Sequence, residues 1–98
     1  AWEAGIVLRL QKRHEAALAQ LTEARQLSAS LQDEAGIAAA GMEMAAVLLD
    51  LGRNADVLPL LQDARRRIAA GGEADAAYRM PRLLSLQLRA LTAMRRAE

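Results

Sequence analysis

Apolar residues recur at helical spacing along the whole chain, and the pattern breaks at four places. It therefore predicts five helices. The first covers about residues 1–11 and carries Ile6, Val7, Leu8 and Leu10. Lys12-Arg13-His14 reads as a tight connection, because basic residues suit a helix C-terminus. The second helix covers about residues 15–31. Its stripe is Ala17, Leu18, Leu21, Ala24, Leu27 and Leu31, close to the spacing i, i+3, i+4, i+7. Asp33 is the expected N-cap of the third helix, with Glu34 in its first turn. That helix runs to about residue 51, and Gly52 sits where a helix ends in a left-handed residue. Asn54 or Asp56 can cap the fourth helix. Pro59 falls in its first turn, where a missing N–H costs little. Gly71-Gly72 ends it. The fifth starts near residue 73 or 74 and continues to about 95, with Pro81 expected to kink it or split it. Every connection is short, so consecutive helices are expected to be antiparallel neighbours.

The pattern also repeats. Leu18-Ala-Gln-Leu-Thr-Glu-Ala-Arg25 returns as Leu58-Pro-Leu-Leu-Gln-Asp-Ala-Arg65, an offset of 40 residues. The same offset relates Gly5, Ala45 and Ser85, and also Leu8, Leu48 and Leu88. A fixed period of this length is the signature of a stacked array. Within a single domain over residues 1–98, repeat 1 covers about 1–33 and repeat 2 about 34–72. A partial third repeat, or a capping helix, covers about 73–98. Gly5 should superpose on Ala45, Leu21 on Leu61 and Ala24 on Ala64. Leu8, Leu21, Leu48, Leu61 and Leu88 should be buried. The chain reads as about two and a half repeats of a longer array, the alternative being that the fifth helix is a native cap.

In each unit a small residue and a Leu three positions later precede a turn, and a second helix then carries small, large and small residues. Gly5 with Ala17, Leu21 and Ala24 follows this layout, as does Ala45 with Gly52, Leu61 and Ala64, with Val57 enlarging a small position. The layout resembles the tetratricopeptide repeat. The period of 40 exceeds the 34 of that family, the helices are longer, and Leu holds the family's aromatic positions. The long variety is similar to the effector-binding helical arrays of large bacterial signal-responsive transcription activators. The resemblance implies a right-handed superhelix of antiparallel helix pairs that binds proteins, peptides or small inducers. It also implies a concave groove. Its lining would be Trp2, Ile6 and Arg9 in the first unit, and Ala39, Met42, Ala46, Leu49 and Asp50 in the second. Arg79, Arg82, Leu86 and Arg89 would complete it. An apolar floor edged by arginines suits a peptide with acidic and apolar side chains. The same arginines also read as a solvated helix face, with Trp2 a core or end-packing residue. The family's carboxylate clamp needs an Asn in the first helix of a unit. The one Asn, Asn54, falls in a turn and does not support it.

Composition narrows the function classes. The chain has no Phe and no Cys, one Trp and one Tyr, so its core must be aliphatic. Abundant Ala and Leu favour helices. A net charge of +1 argues against a nucleic-acid partner. Without Cys there is no disulfide framework and no thiolate metal site, which suits a cytoplasmic protein. No apolar run is long enough to span a bilayer. No signal peptide is visible, and the start at Ala1 rather than Met fits removal of an upstream segment. The excess of Arg over Lys, with abundant Ala, points to a GC-rich bacterial source.

No catalytic constellation emerges. His14 beside Glu15 is not an acid–base pair, since adjacent helical residues do not face each other. It reads as a turn histidine. The acidic residues are dispersed. Arg65-Arg66-Arg67 reads as a helix face favoured by the macrodipole, with Asp63 and Arg67 an i, i+4 ion pair. Met42, Met44, Met80 and Met94 read as core fillers. No cofactor is implied, and the expectation is a non-enzymatic binding module of a bacterial regulatory or adaptor protein. A self-associating structural module and a small-molecule sensor are the alternatives. The last helix carries Leu83, Leu84, Leu86, Leu88, Leu91 and Met94 around much of its circumference. A helix that apolar needs cover on more than one side, which predicts a homodimer through it.

Overall fold

The computed structural model describes residues 2–97, with side-chain surroundings over residues 12–72 and 76–96. Four α-helices follow one another: α1 (Trp2–Ser30), α2 (Glu34–Asp50), α3 (Val57–Ala70) and α4 (Glu73–Ala97). A short 3-10 turn at Asn54–Asp56 leads into α3. No strand occurs among the described residues. The fold is all-α as expected, but the first two expected helices are one.

The reason lies at Lys12-Arg13-His14. At the matching place in the next unit, Leu51 ends α2 and Gly52 takes φ 79°. The Gly52 N–H donates to the Leu49 carbonyl at 3.1 Å and the Arg53 N–H to the Leu48 carbonyl at 2.9 Å, a Schellman ending. Lys12 stands 40 residues before Gly52, and a left-handed Lys costs about 1–2 kcal/mol. Gln32 does accept φ 56° at the end of α1. There, however, Asp33 follows and caps α2, its Oδ1 accepting the Gly36 N–H at 3.1 Å. After His14 come Glu15 and Ala16, neither a good cap, so the helix runs on.

Two further expectations need correction. Pro81 neither ends nor divides α4. Pro81 and Ala77 are both exposed, so the Ala77 carbonyl that loses its donor is on the side of the helix that water reaches. Asp56 does precede α3, but neither it nor Asn54 makes a side-chain cap there.

α2 is the centre of the molecule. It packs against α1, α3 and α4, whereas α1 touches neither α3 nor α4 through its backbone among the described residues. Its Ala38, Met42, Ala45 and Leu48 join Val57, Leu61, Ala64 and Ile68 of α3 and Leu83, Leu86 and Ala90 of α4 in one core. The α3 residues recur at i, i+4, i+7 and i+11, one stripe of a helix. Ion pairs give the directions. Glu15 of α1 meets Arg53, just past the end of α2, at 3.1 Å. Arg67 near the end of α3 meets Glu34 at the start of α2. Both helices are therefore antiparallel to α2. Glu43 and Asp50 of α2 meet Arg82 and Arg89 of α4 in the same order, so α4 runs parallel to α2.

The two units do not superpose. Leu61 and Ala64 are 0% and 1% exposed, whereas their counterparts Leu21 and Ala24 are half-buried and exposed. The α3 stripe is sealed by α2 on one side and α4 on the other. α1 has α2 alone. Leu48 and Leu61 are buried as expected, while Leu8 and Gly5 lie outside the described side chains. Leu88 was expected in the core and is 68% exposed. α4 turns Leu83, Leu86 and Ala90 inward, and Leu88 lies about 200° round the helix from Leu86.

Candidate interaction surface

The expected groove positions divide into three groups. Trp2, Ile6 and Arg9 lie outside the described side chains. Met42 and Leu86 are core residues, 4% and 3% exposed, because both sit where α2, α3 and α4 converge. Their apolar surface is spent on packing, which corrects their placement in an open groove. Leu49 is half-buried against the same core.

The charged positions come together along the seam between α2 and α4. Arg82 Nη2 lies 2.8 Å from Glu43 Oε1, and Arg89 Nη2 lies 3.4 Å from Asp50 Oδ1. Both acids and both arginines are seven residues apart on their helices, two turns, so the pairs form a ladder. Asp50 also faces His14 Nε2 of α1 at 3.7 Å. His14 is thus a mid-helix residue, not the turn residue expected. Arg79 is half-buried, its guanidinium 5.9 Å from the Tyr78 ring centre. Ala39, Met42, Glu43, Tyr78, Arg79 and Arg82 line a shallow depression of about 340 Å³. Reading one helix at a time had pointed to the arginines but missed Glu43. The common seven-residue spacing of Glu43–Asp50 and Arg82–Arg89 was the signal available.

A second polar cluster ties α1 to α3. Asp63 accepts from Arg25 Nη2 at 2.9 Å, Arg66 Nη2 at 2.8 Å and Arg67 Nε at 2.8 Å. Arg67 continues to Glu34. The expected Asp63–Arg67 pair is present, and two further arginines share it. Partial burial pushes the Asp63 carboxyl up, but hydrogen bonds from Arg67 and Arg66, the charge of Arg67 and the bond from Arg25 together hold it below its ordinary range. The Arg67 guanidinium is pushed up by Asp63 and then Glu34. Thr22, Arg25, Gln26, Ala29, Ile37, Met44 and Arg67 line a depression of about 250 Å³ beside this cluster.

The least covered apolar surface is elsewhere. On α4, Leu84, Leu88 and Leu91 are 50%, 68% and 56% exposed at the spacing i, i+4, i+7, a single stripe. By the 40-residue offset they correspond to Met44, Leu48 and Leu51 of α2. Leu48 is buried in the core that α2 shares with α3, and Met44 and Leu51 are half-buried. The α4 stripe therefore repeats a face that is covered on α2.

Comparison with protein-family models, with curated proteins and with solved structures finds no match. Among the described residues no group of His, Cys, Asp or Glu is placed to hold a metal ion. No described helix is long and apolar enough to cross a membrane.

Proposed function

We propose that this chain is a non-enzymatic binding module of tetratricopeptide type, a right-handed helical array that takes an amphipathic helix of a partner protein on the outer face of α4. The observation that carries this reading is the stripe of Leu84, Leu88 and Leu91. Three large apolar residues two turns long and open to water are the anchor pattern of helix recognition. The seam arginines Arg82 and Arg89 are held by acids of α2, so they make the face rigid and leave its apolar residues to select the partner. A place in a larger cytoplasmic regulator of bacterial origin suits such a module.

The repeat suggests the probe. A labelled peptide with the sequence of residues 53–72 carries the α3 pattern that seats on α2. It should bind the intact chain saturably. Leu88→Glu, at an exposed position that the fold does not need, should weaken binding by about tenfold or more. No saturation at millimolar peptide, or equal affinity for the variant, would remove this reading. A second copy can use the same stripe, giving the homodimer through the terminal helix. Leu88→Glu would then lower the sedimenting mass.

The depression between Arg25, Ile37, Met44 and Arg67 favours a second reading, a small-molecule sensor. Arg25 and Arg67 are held by Asp63 and Glu34, so a ligand carboxylate would compete with them. Chemical-shift changes confined to these residues on titrating octanoate, absent with octanol, would support it.

A further inference from the structure

Residues 5–25 and 45–65 are related by the 40-residue offset, yet they fold differently. The second set closes into the α2–α3 hairpin at Gly52. The first set is straight. Glu15 and His14 are level with Arg53 and Asp50 at the far end of α2. Residues 2–11 therefore continue past that end by about 15 Å at 1.5 Å per residue. A straight helix cannot return its first half to its own second half.

The second half of α1 lacks the cover that this return would supply. Ala17, Leu21 and Ser28 are half-buried, and Ala24 and Leu27 are exposed, whereas Val57, Leu61, Ala64 and Ile68 on the matching stripe of α3 are sealed. The difference is one covering helix. Ile6, Val7, Leu8 and Leu10 form the apolar segment of residues 2–11. The two surfaces that the repeat pairs inside one hairpin are thus both present and held apart by the continuous helix at Lys12-Arg13-His14.

We propose that a second copy of this chain supplies the missing cover: two α1 helices pack antiparallel, residues 2–11 of each lying on the Ala17-to-Ser28 stripe of the other. A two-fold axis between His14 and Glu15 brings Leu8 level with Leu21 and Gly5 level with Ala24, the same large-on-large and small-on-small pairing as Leu48 with Leu61 and Ala45 with Ala64. The same axis sets His14 of each copy level with Glu15 of the other. Exchange of one element between identical chains makes in trans the contacts of the closed unit, which is why it is a low-cost route to a dimer.

The native chain has no Cys, so the test is clean. Leu8→Cys and Leu21→Cys chains are prepared separately, mixed and oxidised at low concentration. The expected result is a heterodimer joined by one disulfide, formed severalfold faster than either homodimer. In the double variant the expected product is a covalent dimer. An intramolecular disulfide in a monomer would overturn the proposal in favour of a closed hairpin, and the absence of any cross-link would overturn it outright. His14→Gly, which eases a turn beside the axis, should raise the dimer dissociation constant about tenfold or more. The cross-linking yield should not respond to Leu88→Glu. A dimer that Leu88→Glu abolishes, with no Leu8–Leu21 link, would place the interface on α4 and refute the exchange.

Discussion

Two glycines on α2 show how much one Cβ can depend on its surroundings. Gly41 is buried, yet a Cβ there would meet nothing within 4 Å. Ala at a helix interior is favoured over Gly by about 0.8–1.0 kcal/mol, so Gly41→Ala should stabilise the protein by about that amount. At Gly36 a Cβ would lie 2.5 Å from Asp33 Oδ2 and 2.6 Å from Ser28 Oγ. Asp33 would have to swing away and release the Gly36 N–H, and losing such a cap costs about 0.5–2 kcal/mol. Gly36→Ala should therefore leave stability unchanged or lower it. Urea denaturation of both variants checks the contrast, and equal gains would show that Asp33 does not cap α2. The cap itself was legible, since Asp33 precedes an apolar run with Glu34 behind it. The need for Gly at position 36 was not, because it depends on where the Ser28 side chain of the preceding helix ends up.

Between elements, the question is which face of each helix turns inward. Leu48 and Leu88 are matched by the repeat but are 7% and 68% exposed. Leu48→Ala should cost about 2–5 kcal/mol, the range for a buried Leu that leaves a cavity. Leu88→Ala should change stability by less than about 0.5 kcal/mol, as surface substitutions do. Similar losses at both sites, measured by denaturant titration, would mean that α4 is rotated. Periodicity located the helices and the stripe of α3. It failed at Leu88 because α4 has apolar residues on both sides, and a pattern apolar nearly all round does not say which side finds a neighbour. It failed at Lys12-Arg13-His14 because the repeat implied a turn that the local residues neither cap nor favour.

The Asp63 cluster belongs to the same scale, since it links α1 to α3. Its carboxyl titrates below the unfolded value, so the folded state holds the proton less tightly. The stability it contributes is complete above the ordinary carboxylate range, near pH 4, and fades as the pH falls through the lowered value. Asp63→Asn should cost on the order of 1–2 kcal/mol at pH 7, moderated because the site is 18% exposed. The difference between variant and native chain should shrink below about pH 4. Thermal melts at pH 3, 5 and 7 test this, and a gap that stays constant across them would show that Asp63 contributes no charge-dependent stability. A single helix offered only Arg66 and Arg67 as partners, and the long-range bond to Arg25 became visible only once α1 was placed beside α3.

Across the whole molecule, helices make their contacts in order along the chain, and α1 and α4 never meet among the described residues. The all-α class and the interaction-module reading followed from composition and period. The exchange surface came from a mismatch between period and fold, which no single unit displays. Sequential packing also has a consequence for how the native state opens. Nothing ties the first helix to the last, so structure can be lost from either side without disturbing the other, and protection should fall outward from the middle. Native-state hydrogen exchange should find the slowest amides between Ala38 and Leu48, where three helices surround one, with faster exchange between Thr22 and Ala29 and between Leu91 and Arg96. A uniform rate over all four helices would mean instead that the molecule opens in a single global step, and that its two ends sense each other through a centre that never yields alone.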